Sequence, residues 1–560
     1  MNTLDWFSGG RSLLTIVVGR STLRAPLSKD AMTKCLLLSP RFPEMSYWNY
    51  REVCELFGAR YPAAPLGLAT AAALLPQEWK IRLLDLNVRE MDTALLDWAD
   101  LVMAGGMIPQ QRSLLSLIEL CHARGKRIVV GGQDPTSQPD VYANADYLVL
   151  DEGEMTIPKF LADLEAGATH GIYRSEEKPD VTQSPTPRFD LLELKKYLHI
   201  GIQFSRGCPF NCEFCDIIEL YGRKPRTKTP QQLLRELDCL YQLGHRGHVD
   251  FVDDNFIGNK KAVMAFLPEL LTWSRRRGFP FYFSTEATIN LADDPKLLGM
   301  MEAVDFRYVF VGVETPDKDL LVRTQKKVNT HHSVVESIHR LNGHGMVVTA
   351  GFILGFDGES GSAADAIVAC VETTGIPMAM VGLLTALPNT QLTRRLAREG
   401  RLPDGYSLQR PGDVDQTTSG LNFTPSRPRA EILEDYASIV RRLYSPKRYF
   451  GRVLTVARRL IRQPKQLGST RGRWTEIIAL GAVIWRLGFG RGTAWYFWRN
   501  VLALLMTRPE NFEAAVHLMA LFLHFRKHTR FVLDGLERHL ARLKAEPEES
   551  SCGSMAPAGD

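Results

Sequence analysis

The chain reads Gly207-Cys208-Pro209-Phe210-Asn211-Cys212-Glu213-Phe214-Cys215 directly after a buried strand predicted at residues 201–205. Three cysteine thiolates on one short loop can hold three irons of a cubane cluster and leave the fourth iron open for another ligand. A four-cysteine zinc site would need a further ligand close by, and the next cysteine, Cys239, falls within a predicted helix. The loop therefore predicts a 4Fe-4S cluster held by Cys208, Cys212 and Cys215.

Downstream of this loop, short apolar runs alternate with amphipathic helical stretches as far as residue 395. After 201–205, strands are predicted at 248–253, 280–285, 307–313, 346–354 and 378–385. Six strand–helix units predict a partial (β/α)6 parallel barrel over residues 199–395. In such a barrel the chemistry lies in the loops that follow the carboxyl ends of the strands.

Upstream of the loop, residues 32–165 show a second strand–helix alternation. Strands are predicted at 35–40, 81–87, 101–105, 127–132 and 147–150. The pattern indicates an α/β domain with a doubly wound, flavodoxin-like parallel sheet. Residues 166–198 are rich in proline and charge and are predicted to be a linker.

The ends of the chain carry weaker signals. Residues 1–31 are predicted to be an N-terminal extension, residues 396–545 a helical region and residues 546–560 a disordered tail. Two apolar stretches, 477–485 and 495–505, are followed or interrupted by Arg486 and Arg499, so a membrane span is not expected. These basic, tryptophan-rich helices are expected either to lie at a membrane surface or to pack on the barrel.

Composition limits the remaining classes of protein. The 560 residues fit two to four domains, and a formal net charge of +5 does not indicate nucleic acid as a partner. Nine cysteines, an odd number spread along the chain, do not resemble a disulfide framework. We expect a cytoplasmic protein, with peripheral membrane contact as the open alternative.

The cysteine loop, with Phe214 before its last cysteine, resembles the signature of radical S-adenosylmethionine (SAM) enzymes. The resemblance implies that SAM binds the open iron and that its cleavage gives a 5′-deoxyadenosyl radical. It also implies SAM contacts at Phe214, Asp253, Asp254, Ser284, Glu286, Glu314, Gly351 and Gly355. The alternative for each acidic residue is a helix cap or a solvated loop position, and the glycine that many members carry beside Asp253 is absent here.

A doubly wound domain before such a barrel resembles the cobalamin-binding domain of the cobalamin-dependent subfamily. The resemblance implies cobalamin contacts at Ser39, Asn87, Gly105, Gly106, Gly131 and Gly132, and Asp151-Glu152-Gly153-Glu154 resembles the turn that closes this domain. Asp85-Leu86-Asn87-Val88-Arg89 lacks the histidine of the Asp-x-His-x-x-Gly motif, so base-off, histidine-off binding is predicted. A domain that binds a nucleotide, or nothing, remains the alternative.

The whole pattern resembles a group that includes the hopanoid A-ring (C-2) methylases, which methylate a polycyclic lipid. The resemblance implies that one SAM methylates cobalamin, a second gives the radical, and an unactivated carbon receives the methyl group. Expected partners are a hydrophobic small-molecule substrate and an electron donor of the flavodoxin or ferredoxin type, without nucleic acid. The alternatives are a cyclase of the porphyrin-ring type and a non-catalytic cobalamin or cluster sensor.

Overall fold

The computed structural model describes residues 33–359, 361–403, 420–461 and 473–545. The expectations for residues 1–31 and 546–560 lie outside the described residues. The strands are β1 Lys34–Ser39, β2 Tyr61–Ala63, β3 Lys80–Asp85, β4 Leu101–Gly105, β5 Arg127–Gly131, β6 Tyr147–Val149, β7 Gly171–Tyr173, β8 Tyr197–Ile202, β9 Ser205–Arg206, β10 Arg226–Thr227, β11 Gly247–Phe251, β12 Phe281–Glu286, β13 Phe306–Glu314, β14 Val347–Leu354 and β15 Met378–Leu383.

The α-helices separate these strands and then continue alone to the end of the described chain. They are α1 Arg51–Leu56, α2 Leu66–Ala72, α3 Thr93–Trp98, α4 Gln111–Ala123, α5 Gln133–Ser137, α6 Gly153–Glu165, α7 Ile217–Leu220, α8 Pro230–Gln242, α9 Lys260–Arg276, α10 Pro295–Ala303, α11 Lys318–Arg323, α12 Val334–Gly343, α13 Ala363–Thr374, α14 Gln391–Arg398, α15 Arg429–Leu443, α16 Pro446–Arg459, α17 Arg473–Val483, α18 Ala494–Thr507 and α19 Phe512–Ala545.

The first sheet is fully parallel, with strand order β3-β1-β4-β5-β6-β7. Alternate residues of β1 enter two separate cores: Leu36 and Leu38 pack on one face, Cys35 and Leu37 on the other. Burial on both faces explains why the strand is a continuous apolar run. The five predicted strands are present. The linker prediction for 166–198 is wrong in part, because β7 adds a sixth strand there.

The second sheet is a parallel half-barrel with strand order β15-β14-β13-β12-β11-β8-β2. Its six strands from β8 to β15 correspond to the six predicted from the sequence, and β9 and β10 form a separate antiparallel pair. The edge strand β2 comes from the N-terminal region and pairs with β8 through Tyr61↔Tyr197 and Ala63↔His199. The N-terminal region therefore contributes a strand to the second sheet, in addition to the chain that connects the two sheets.

The C-terminal helices pack against the edge of the half-barrel. The hydroxyl groups of Tyr436 and Tyr444, on and directly after α15, donate hydrogen bonds to the Val381 and Ala379 carbonyls of β15. Helix α19 reaches back to α1, where His524 pairs with Glu52. In the part of the chain that the structure describes, no helix combines the length and apolar character needed to cross a bilayer.

Candidate active site

The cysteine loop follows β9 and ends at α7. Its cysteines are all free; Cys212 is buried and Cys208 and Cys215 are half-buried. The Cys215 amide donates to the Cys212 carbonyl at 3.3 Å, and the Cys208 amide donates to the Gly222 carbonyl at 3.3 Å. The loop is thus folded into a compact turn with its three thiols inside the molecule. Cys239 lies apart from it in α8, as the sequence predicts.

A buried lysine places positive charge beside the three thiols. Burial raises the pKa of Cys208, Cys212 and Cys215, while the charge of Lys326 lowers it. Lys326 is itself held by Glu314, with Nζ and Oε1 2.9 Å apart. A cation at this point favours the thiolate form that binds iron.

Asn255 supplies a hydrogen-bond donor beside the cysteines. It lies close enough to Cys208 to lower the pKa of that thiol. Its amide nitrogen is buried and makes no hydrogen bond of ordinary distance and angle with the described residues. A thiolate or a cluster sulfide is an acceptor of the kind this nitrogen lacks. The donor set and its surroundings therefore fit a 4Fe-4S cluster.

Asp253 and Asp254 hold the chain that leads into the cysteine loop. Asp253 accepts hydrogen bonds from the Phe204 amide at 3.1 Å and from the amide and hydroxyl of Ser205. Asp254 accepts a bond from the Gly207 amide at 3.0 Å. Burial raises the pKa of Asp253 to about 7 and of Asp254 to about 6. Both carboxylate oxygens of Asp253 and one of Asp254 are thus engaged in positioning this segment.

A cluster of ion pairs connects the first domain to the same segment. This cluster was not predicted from the sequence. Arg206 contacts Glu152 at 2.7 Å and Glu154 at 2.8 Å, and Arg226 contacts Glu152 at 2.7 Å. These side chains are 15% exposed or less. The signal in the sequence was the acidic turn after β6. Its carboxylates fix the β9–β10 pair on either side of the cysteine loop.

A cavity of about 1780 Å³ lies between the carboxyl edges of the two sheets and extends along the inner wall of the half-barrel. Single-ligand pockets usually measure about 300–1,000 Å³. The cavity therefore has room for more than one ligand. The predicted residues that line it are Ser39, Asn87, Gly105, Gly106, Gly131, Gly132, Ser284 and Glu286.

Glu286 is the last residue of β12, and its carboxylate has no hydrogen-bond or ion-pair partner among the described residues. Burial, followed by the charges of Asp250, Asp254 and Asp253, raises its pKa to about 8. An unpartnered acid on a cavity wall is available to a ligand, especially to a cationic one. Ser284, two residues earlier, is instead bonded to His248 and Asp250.

The other predicted SAM residues are outside the cavity lining: Phe214 lies in the cysteine loop, Glu314 ends β13, and Gly351 and Gly355 lie within and directly after β14. Phe214 packs against Phe356 with ring centroids 5.7 Å apart. Glu314 ends β13 with φ 66° and turns its carboxylate to Lys326. Phe310 packs against the backbone of Gly351, and Leu421 packs against that of Gly355, where a side chain would leave no room for them.

The predicted cobalamin residues cluster at the carboxyl edge of the first sheet. Asn87 uses its amide inside the protein, accepting from the Phe42 amide and donating to Pro40 and Asp85. Gly132 has φ 104°, and a Cβ there would lie 2.8 Å from the Gly106 carbonyl. The paired glycines thus keep this edge flat and free of side chains where it borders the cavity.

Comparison with known proteins identifies two segments and several relatives. Residues 202–370 match the Radical SAM superfamily, and residues 390–538 match a domain of unknown function, DUF4070. An uncharacterized methyltransferase of Synechocystis is 46% identical, over 89% of this chain and 92% of the relative. The hopanoid C-2 methylase of Rhodopseudomonas palustris is 36% identical, over 79% of this chain and 84% of the relative.

Solved structures share the fold at low sequence identity. The cobalamin-dependent SAM radical enzyme OxsB, with aqua-cobalamin and SAM bound, aligns over 92% of this chain and 84% of its own, with 17% identity and a TM-score of 0.56. The radical SAM methyltransferase TsrM of Kitasatospora setae aligns over 66% and 78%, with 17% identity and a TM-score of 0.51. The chain therefore belongs to the Radical SAM superfamily, in the family of methyltransferases that includes the hopanoid C-2 methylase.

Proposed function

We propose that this protein is a cobalamin-dependent radical SAM methyltransferase that methylates an unactivated carbon of a hopanoid. The single observation that carries the proposal is the cavity shared by the two sheet edges, in a chain 36% identical to a hopanoid C-2 methylase. A polycyclic lipid needs an apolar site, and aromatic and aliphatic side chains of both domains and of α19 border this one.

The residues around the cysteine loop would hold the cluster and SAM. Cys208, Cys212 and Cys215 would supply the thiolates, and the charge of Lys326 opposes the rise in their pKa that burial causes. Glu286 is the acid best placed for SAM, because it borders the cavity without a protein partner and SAM is cationic. Asp253 and Asp254 act indirectly, by fixing the chain before the loop.

The flat edge of the first sheet would hold cobalamin. Its glycines and Ser39 border the cavity, and Asn87 orders the segment after β1. The cavity-lining residues contributed by 33–165 include no histidine, so cobalt would take no histidine ligand from this domain.

When bound, the cluster with SAM supplies a hydrogen-abstracting radical, and cobalamin supplies the methyl group. The protein's part is to place the target carbon between these groups and to exclude water. Trp48 and Phe310, whose ring centroids lie 5.6 Å apart, form an aromatic part of the cavity wall.

The test is anaerobic reconstitution with iron, sulfide and hydroxocobalamin, followed by turnover with SAM, a hopanoid and an electron donor of the flavodoxin or ferredoxin type. A methylated hopanoid with both S-adenosylhomocysteine and 5′-deoxyadenosine is expected. The triple variant with Ala at all three cluster cysteines should lose the product, and Cys239→Ala should keep it. Deoxyadenosine with an unmethylated product would instead favour a cyclase or rearrangement.

We also propose that the protein docks on a membrane through an apolar patch on α17, α18 and the segment between them. The patch consists of exposed Ile477, Ile478, Trp485, Phe489, Trp495, Trp498, Leu502, Leu505 and Met506. Trp485 contacts Phe489 and Phe489 contacts Trp498, with ring centroids 5.8 and 6.5 Å apart. Exposed Arg486 and Arg491 lie beside these rings, so an anionic bilayer surface complements the patch.

The patch is continuous with the cavity, because Ile477 is 57% exposed and also borders the cavity. A lipid substrate could therefore pass from the bilayer into the site without crossing water. Replacing Trp485 and Phe489 together by Ser should lower the affinity for phosphatidylglycerol vesicles, measured by co-sedimentation, by roughly tenfold or more. The matched control is Ile172→Ser, an exposed apolar residue on β7. Equal sedimentation of both variants would contradict the docking proposal.

A further inference from the structure

A polar cluster on the inner wall of the half-barrel has no role in the site described above. It consists of His199 on β8, His248 and Asp250 on β11, and Ser284 on β12. The two imidazole rings lie 5.0 Å apart, and all four residues border the cavity. Glu286 stands two residues beyond Ser284 on the same strand.

The hydrogen bonds of this cluster define what it offers to a ligand. The Ser284 hydroxyl donates to Asp250 Oδ1, so His248 Nε2 must be the donor in its 2.6 Å contact with the Ser284 Oγ. Burial lowers the pKa of His248 and of His199, which keeps both rings neutral near pH 7. A neutral His248 with its proton on Nε2 presents Nδ1 as a bare acceptor.

Further hydrogen-bonding atoms, both acceptors and a donor, remain open beside it. Among the described residues, His248 Nδ1, Asp250 Oδ2 and both ring nitrogens of His199 have no hydrogen-bond partner. Burying polar groups without partners is costly, so a ligand group that both donates and accepts would be favoured here.

The His248 end of the cluster lies away from the edge where the cofactors would bind. His248 pairs in register with Tyr282, four residues before the end of β12 at Glu286. At the rise of a strand this separation is about 13 Å. Tyr282 stacks on His248 with ring centroids 4.9 Å apart, and Tyr308 lies 5.9 Å from the same ring. The polar groups are thus enclosed by flat apolar surfaces.

We propose that His199, His248, Asp250 and Ser284 bind a hydroxyl group of the lipid substrate, at the end opposite the carbon that is methylated. This inference rests on the proposed function and names the recognition site for it. The aromatic rings contact the flat ring system, while the cluster fixes how far the lipid enters the half-barrel. A hydroxyl donates to His248 Nδ1 or Asp250 and accepts from a His199 N–H. A hydrocarbon of the same shape would leave these groups unpaired.

The experiment measures dissociation constants on the reconstituted holoenzyme without reductant, for a hydroxylated hopanoid and for the hydrocarbon that lacks the hydroxyl. The wild-type protein should bind the hydroxylated lipid roughly 10- to 100-fold more tightly. His248→Gln keeps a donor for Ser284 but removes the Nδ1 acceptor, and it should reduce this preference by roughly tenfold. The control is His344→Gln, on a histidine paired with Glu302 after α12, which should keep the preference.

Two results would overturn the inference. One is equal binding of the two lipids by the wild-type protein. The other is a His248→Gln variant that keeps the lipid preference or loses affinity for SAM or cobalamin instead. A second variant, Asp250→Asn, should also reduce the preference and guards against a folding defect in the first. Failure of the proposed function is distinct, since neither lipid would then be methylated whatever its affinity.

Discussion

Glu154→Gln probes the ion pairs that connect the first domain to the cysteine loop. Glu154 accepts two hydrogen bonds from Arg206, at 3.0 and 2.8 Å, and one from the Ser184 hydroxyl at 2.7 Å. Its side chain is only 12% exposed. Glutamine has the same shape but no charge, so Arg206 would lose one of its two carboxylate partners while staying buried.

The magnitude follows from the pKa of the carboxyl. Burial raises the pKa of Glu154, but the hydrogen bonds and charge of Arg206 outweigh burial and lower it from 4.5 to about 2. At about 1.4 kcal/mol for each pH unit, this corresponds to about 3 kcal/mol of stability. Removing one partner of a buried ion pair costs a similar amount. Since the pKa is lowered on folding, the contribution is complete above pH 4.5 and is lost as the pH falls towards 2.

The assay is urea unfolding of the cluster-free protein at pH 7 and pH 3, monitored by circular dichroism. Glu154→Gln should be about 3 kcal/mol less stable at pH 7, with a smaller difference at pH 3. Iron content after reconstitution should also fall, because Arg206 directly precedes the loop. The control is Glu90→Gln in an exposed pair with Arg41, which should cost less than about 0.5 kcal/mol. A Glu154→Gln variant as stable as this control would refute the reasoning.

Three further changes test other parts of the site. Glu286→Gln should raise the melting temperature strongly at pH 9 and only slightly at pH 5, as calorimetry at both pH values would measure. Because folding raises the pKa of the wild-type carboxyl from 4.5 to about 8, the wild-type protein loses stability progressively as the pH rises from 4.5 to 8. Lys326→Met should reduce the iron retained after reconstitution several-fold, because the thiolates lose the nearby cation and Glu314 loses its ion-pair partner. An unchanged iron content would contradict this prediction. Gly132→Ala should lower the free energy of unfolding by about 2 kcal/mol or more and should weaken cobalamin binding, measured by absorbance titration. The control Gly125→Ala, at a position with open space around it, should lower the free energy of unfolding by about 1 kcal/mol.

The sequence by itself determined the features that depend on residues close together in the chain. Three cysteines within eight positions identify a cluster loop because the ligands need no folding partner to be recognised. The alternation of apolar runs likewise predicted two parallel sheets, since strands buried on both faces must be apolar throughout. All six strands of the half-barrel from β8 to β15 were found this way.

Only the tertiary structure decided which distant groups meet. Tyr61–Ala63 is too short to show that it joins the half-barrel, because its pairing with β8 spans more than 130 residues. Sequence position gave Asp253 and Glu286 the same expected role, yet Asp253 meets backbone amides and Glu286 meets the cavity. The two carboxylates look alike in the sequence, but they differ in their hydrogen bonds and burial. These differences arise only when the strands are assembled.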